Sequence, residues 1–205
     1  GPFAQLASAI IVVIKTNQGI TGFGMGAGGA VACKIIEGHL RHLLIGTNPL
    51  NIELLWDQMY TAGDFYGRRG VFVMGLSGVD NALWDILGKY ANQPVYRLLG
   101  GTTKERIPVY HTGTPDVVEN GLKLNIQHFK VVTWNGLAEG EEGKQQTIKD
   151  LDAVRKKLGN DKTMMIECVA GWDDTDFVID MARRMEHLNL YWIEEPLSPD
   201  NILGY

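Results

Sequence analysis

The chain has 205 residues, 45% of them hydrophobic and 21% charged, with a formal net charge of −5. That length allows one or two cores, and the acidic balance argues against nucleic acid or an anionic membrane as the main partner. No apolar run reads as a bilayer span and no signal peptide is visible. Cys33 and Cys168 lie far apart in apolar context, as small buried thiols do in a reducing, cytoplasmic compartment.

In chain order, "IIVVIKT" (Ile10 to Thr16) predicts a strand. Asn17-Gln18-Gly19 predicts a turn, and Ile20 to Phe23 a second short strand. A glycine run follows, then a helix from about Ala30 to Leu44 and another around Ile52 to Tyr60. Apolar residues at Leu76, Val79, Leu83, Ile86 and Leu87 recur with the helical period and predict a helix from Leu76 to Tyr90. Ser77 and Asp80 resemble a capping box at its start, and Asn92 with Pro94 closes it. This half reads as α+β.

After "LLGGTTKER" (Leu98 to Arg106) the pattern changes. Strands are predicted at Ile107 to Thr112, His128 to Val132, Met164 to Cys168 and Leu190 to Glu194. The clearest helices between them run from Thr147 to Leu158 and from Thr175 to Leu188. Strict alternation of strand and helix implies a parallel sheet, whose chemistry gathers at the carboxyl ends of the strands.

Those carboxyl ends carry Lys130, Glu167 and Glu194. Any one of them alone reads as half of a structural ion pair. Three at equivalent places on consecutive strands read as a site, and two converging carboxylates suit a hard divalent cation such as Mg²⁺. The two-residue alternation of a strand sends Glu195 to the face opposite Glu194. His111, near the end of the first parallel strand, is a candidate to face the same crevice. Arg68, in the donor-rich turn Tyr66-Gly67-Arg68-Arg69-Gly70, is a candidate contact for an acidic substrate.

The run "GMGAGG" (Gly24 to Gly29) formally satisfies the dinucleotide fingerprint GxGxxG. That fingerprint needs a βαβ unit, and here the following helix leads to a turn and another helix. The run reads instead as a flexible turn where the backbone bends closely.

"SGVDNALWDILGKYANQPVYRLLGG" (Ser77 to Gly101) resembles the stretch that joins capping domain to barrel in the enolase superfamily, on the mandelate racemase side. "GLAEGEEG" (Gly136 to Gly143), "MMIECVAGWD" (Met164 to Asp173) and "LYWIEEPLSPDNILGY" (Leu190 to Tyr205) resemble L-rhamnonate dehydratases and related acid-sugar dehydratases. The resemblance implies an α+β capping domain over residues 1–103, its N-terminus incomplete, and over residues 104–205 the first half of an α/β (β/α) barrel. It also implies Mg²⁺ as cofactor, held by acidic residues at the ends of the third, fourth and fifth barrel strands. On that pattern Glu167 and Glu194 are metal ligands and Lys130 stabilises negative charge; Arg68 and His111 remain the candidate substrate contacts read from the residues alone. A small-molecule sugar acid is the expected partner, and a homo-oligomer the expected assembly.

The sequence departs from the family pattern in three places. Glu167 stands where the first ligand is usually Asp, and "ECV" stands for "DCW". Lys130-Val131-Val132 lacks the second lysine of the Lys-x-Lys base. The third departure is length: a complete barrel needs roughly 250 residues. The third metal ligand and the His–Asp base are therefore expected outside this sequence, and the chain reads as a fragment, inert by itself. The implied reaction is abstraction of the proton next to a carboxylate and loss of the 3-hydroxyl, giving a 2-keto-3-deoxy acid. A racemase or epimerase of the same superfamily is the rival, and a truncated interaction module the second.

Overall fold

The computed structural model describes residues 8–205, and the chain divides into two compact units, Gly1–Glu105 and Arg106–Tyr205.

In the first unit β1 (Ile10–Lys15) and β2 (Thr21–Gly26) form an antiparallel hairpin in the register Ile10↔Gly26 to Lys15↔Thr21. Gly19 at φ 83° supplies the left-handed step its turn requires. The chain then runs through α1 (Gly29–Ile35), one π-helical turn (Ile36–Leu40) and α2 (Arg41–Leu44). Next come α3 (Ile52–Ala62), α4 (Val71–Ala91) and the short α5 (Val95–Leu98). The core gathers on α4, whose Phe72, Leu76, Val79, Leu83 and Ile86 meet Leu40, Ile52, Leu55 and Met59.

Glycine lets the hairpin approach α4. A methyl group at Gly24 would lie 2.0 Å from the Gly78 carbonyl oxygen and 2.4 Å from the Ala82 nitrogen. The "GMGAGG" run is therefore not simply a turn. Gly24 and Gly26 belong to β2, while Gly28 and Gly29 make the bend at φ 89° and 54°.

Two expectations for α4 change. It starts at Val71, five residues before the apolar period becomes readable, because "VFVM" is apolar on every side. Ser77 is thus no cap but an interior residue whose Oγ donates to the Val73 carbonyl at 2.7 Å. Asp80 is likewise inside the helix, where burial first and then the nearby Glu53 push its carboxyl pKa up. By length and composition α4 could also cross a membrane, contrary to the sequence reading, but half of its most apolar stretch is buried inside the protein.

The second unit is a four-stranded parallel sheet in the order β3 (His111–Gly113), β4 (His128–Val132), β5 (Thr163–Glu167), β6 (Ile193–Glu194). The connections carry α6 (Val118–Lys123), α7 (Gly140–Leu158) and α8 (Thr175–Arg184), with 3₁₀ turns at Pro115–Val117, Leu137–Glu139 and Glu186–Leu188. Phe129, Val131, Met164, Ile166 and Cys168 alternate onto one face of the sheet, where they bury against Leu151, Val154, Leu158, Phe177 and Met181 of the helices.

β3 is shorter than the predicted Ile107 to Thr112, because its ladder starts only where His111 meets Phe129. α7 starts at Gly140 rather than Thr147. Its first turn, "GEEG", has no apolar period to read, but Glu141 and Glu142 suit the positive end of the helix. α8 ends at Arg184, with Asp174 as its N-cap accepting from the Phe177 amide at 2.7 Å. β6 keeps only two of the five predicted ladder residues, although Tyr191 N donates to the Met164 carbonyl at 2.8 Å.

Candidate active site at the strand ends

Strand alternation places Lys130 and Glu167 on the face of the sheet opposite the helices. Glu194 follows because it is the register partner of Glu167. The three side chains meet. Lys130 Nζ donates to Glu167 Oε2 at 3.0 Å and to Glu194 Oε1 at 2.7 Å.

The second oxygen of each carboxylate has its own donor. Trp192 Nε1 donates to Glu194 Oε2 at 3.0 Å, and the Val169 amide donates to Glu167 Oε1 at 3.0 Å. The Tyr110 ring completes the surroundings, its centroid 5.5 Å from Lys130 Nζ and edge-on to Trp192 at 5.9 Å.

Lys130 is 9% exposed. Burial alone would drive its pKa down, but the hydrogen bonds to Glu194 and Glu167 outweigh burial and hold it above the ordinary lysine value. The Lys130 hydrogen bond is also the main reason that the Glu194 carboxyl sits below its ordinary range, against an opposing push from burial. Next along β5, burial raises the Cys168 thiol to about 12 despite the Thr133 hydroxyl nearby, with the Glu167 charge adding to the rise.

The loops at this end of the sheet are tied together. Val169 and Ala170 follow β5 at φ 50° and 53°, a left-handed pair that is costly for a β-branched residue. Ala170 N donates to the Glu195 carbonyl at 2.7 Å and Asp173 N to the Pro196 carbonyl at 3.0 Å. Trp172 Nε1 reaches the Asn135 carbonyl at 3.1 Å. Glu195 lies past the end of β6 at φ 45° and is exposed, so strand alternation does not govern its direction.

Of the five residues singled out by sequence, three converge. His111 is turned away from them. As the register partner of Phe129 it shares the helix-covered face, its ring 6.1 Å from the Phe129 ring and packed over Gly121. Arg68 is exposed on the loop between α3 and α4 of the first unit. Sequence reasoning missed Tyr110, Trp192 and the Val169 amide. Trp192 carried a readable signal, two residues before Glu194 on the same strand face; the other two carried none.

Two carboxylates that already share one ammonium form a position suited to a cation, and their hard oxygens match Mg²⁺ chemistry. Among the described residues no group of three or more His, Cys, Asp or Glu side chains assembles around a single point. The site thus brings two carboxylates together, where the family pattern implies three acidic ligands.

A parallel sheet with charged strand ends, joined to an α+β unit, defines a class, and the comparisons agree with it. Residues 3–100 match the mandelate racemase / muconate lactonizing enzyme N-terminal domain, and residues 116–205 match the enolase C-terminal domain-like family. The chain belongs to the enolase superfamily, of the mandelate racemase / muconate lactonizing enzyme type.

Among solved structures it is similar to L-rhamnonate dehydratase from Gibberella zeae, at 36% identity and a TM-score of 0.90, over 97% of this chain and 50% of that one. The rhamnonate dehydratase from the same organism complexed with Mg matches at 36% identity and a TM-score of 0.89, over 97% of this chain and 48% of that one. A racemase from Streptomyces coelicolor A3(2) with bound magnesium matches at 28% identity and a TM-score of 0.86, over 96% and 56%. The chain spans about half the length of these proteins.

Proposed function

We propose that this chain supplies the α+β unit and two metal ligands of a Mg²⁺-dependent acid-sugar dehydratase of the L-rhamnonate type. The observation that carries the reading is the convergence of Glu167 and Glu194, at adjacent strand ends, on the one cation of Lys130. The likeness to rhamnonate dehydratase at 36% identity favours this substrate class.

In this reading Glu167 and Glu194 hold Mg²⁺, which when bound neutralises charge on the substrate carboxylate and favours loss of the adjacent proton. Lys130 supplies fixed positive charge where the deprotonated acid gathers negative charge, and its raised pKa keeps it protonated near neutrality. The Tyr110 ring lies beside that charge and edge-on to Trp192. Loss of the 3-hydroxyl then gives a 2-keto-3-deoxy acid.

The racemase from Streptomyces coelicolor supports a second reading, racemisation or epimerisation. Two-base chemistry needs a base on each side of the substrate carbon. Val132, in register with Glu167, stands where the family's Lys-x-Lys pattern puts one of them, which favours dehydration.

A panel of sugar acids incubated with the full-length protein and Mg²⁺, read as 2-keto product, tests the reaction. L-rhamnonate or a related six-carbon acid should turn over. Racemised products with no 2-keto acid would reject dehydration. Calorimetry should show Mg²⁺ binding that is lost in Glu194→Gln, and unchanged affinity would reject the ligand assignment.

A further inference from the structure

The two carboxylates divide their oxygens in the same way. Each gives one oxygen to Lys130 Nζ and the other to a donor fixed in the fold: Trp192 Nε1 for Glu194 and the Val169 amide for Glu167, both at 3.0 Å. The terminal torsion of a glutamate is broad and nearly two-fold, so an unheld carboxylate turns freely about it. Mg²⁺ accepts little departure from octahedral geometry, which makes that rotation matter.

Neither donor can easily move. Trp192 immediately precedes β6, its carbonyl accepting from the Ile166 amide at 3.2 Å, and its ring lies edge-on to Tyr110 at an interplanar angle of 83°. The Val169 amide sits in a left-handed turn whose next two amides are engaged, Ala170 N by the Glu195 carbonyl and Gly171 N by the Cys168 carbonyl at 2.8 Å.

We propose that Trp192 and the Val169 amide are positioning groups, which set the rotation of Glu194 and Glu167 so that one oxygen of each faces a shared cation position. The inference rests on the reading of these glutamates as Mg²⁺ ligands, and it adds residues that touch neither metal nor substrate. Groups that hold a ligand from behind typically change metal affinity about 10- to 100-fold when lost.

Trp192→Phe removes the indole N–H together with the five-membered ring and leaves a six-membered aromatic ring beside Tyr110. In the full-length protein it should weaken Mg²⁺ binding about tenfold by calorimetry, while Trp134→Phe, on the exposed loop after β4, leaves affinity unchanged. A second readout needs no metal. With tryptophan labelled at the indole nitrogen, the signal missing from Trp192→Phe identifies Trp192, and that signal should shift in Glu194→Gln and again on adding Mg²⁺.

Wild-type affinity in Trp192→Phe, or a Trp192 signal that does not respond to Glu194→Gln, overturns the positioning role. Failure of the wild-type protein to bind Mg²⁺ overturns the ligand reading instead, and with it any role in aiming ligands. The two failures are therefore distinguishable.

Discussion

Lys130 Nζ stands 2.7 Å from Glu194 Oε1 and 3.0 Å from Glu167 Oε2, so one buried ammonium is shared by two carboxylates from successive strands. Removing it leaves two like charges facing each other at the sheet end. Their side chains are 12% and 32% exposed, so solvent screens part of the repulsion. We expect Lys130→Met to lose about 2 kcal/mol in urea unfolding. Excess Mg²⁺ should restore more stability to this variant than to the wild type, since a cation bound only by the folded state stabilises it. Equal stabilisation of both would count against a shared cation position.

The same pair sets a pH dependence. The folded pKa of Glu194 is depressed, so its stabilisation is complete above the ordinary value of 4.5 and is lost as pH falls through the lower folded pKa. The folded pKa of Lys130 is raised, so its stabilisation is complete below the ordinary 10.5 and is lost as pH rises through the folded value. Unfolding free energies measured from pH 7 down to pH 3 should fall, and the fall should be shallower in Glu194→Gln. An identical slope in that variant would show that the acid loss arises elsewhere.

Glu167→Asp shortens the first carboxylate arm by about 1.5 Å, one carbon–carbon bond. Because aspartate is the residue that the family pattern puts at this position, we expect Mg²⁺ affinity to be retained or improved. A collapse of binding in calorimetry would mean that the left-handed turn at Val169 and Ala170 is built around the longer side chain.

Thiol reactivity should separate the two cysteines. Cys168 is buried and its pKa is pushed up to about 12, so almost none of it is thiolate at pH 8, whereas Cys33 is half-buried. Brief alkylation of the native protein at pH 8, read by peptide mass spectrometry, should label Cys33 well ahead of Cys168. Comparable labelling of both would show that the end of β5 opens readily.

Gly24→Ala tests the first unit. The added methyl would meet backbone atoms of α4 at 2.0 and 2.4 Å, and backbone cannot rotate aside as a side chain can. The hairpin must lift from the helix, at a cost of about 3 kcal/mol. Gly19→Ala meets no atom within 4 Å and strains only its φ of 83°, so the cost should be nearer 1 kcal/mol. Thermal unfolding of the two variants should rank them in that order.

Much of this protein was legible in its order of residues. The alternation of apolar runs in the second half determined a parallel sheet, because strands buried under helices carry continuous apolar stretches that end in polar residues. That pattern also singled out Lys130, Glu167 and Glu194; the two glutamates end β5 and β6 in register, whereas Lys130 lies two residues before the end of β4, in register with Met165. Helix starts were less legible. "VFVM" before α4 is apolar on all sides and "GEEG" before α7 on none, so neither displays a period.

What only the tertiary structure decided was direction and partnership. His111 fell on the wrong face because strand pairing begins at its own rung, opposite Phe129, and one rung reverses a side chain. Tyr110 reached Lys130 from the residue just before β3, a contact between residues twenty positions apart that no local pattern encodes. The Val169 amide became a donor through a left-handed backbone that a β-branched residue rarely adopts alone, held there by the loop after β6. Sequence periodicity reports which residues a face carries. The register between strands and the closure of loops across them depend on contacts far apart in the chain, and these selected the oxygens that meet at Lys130.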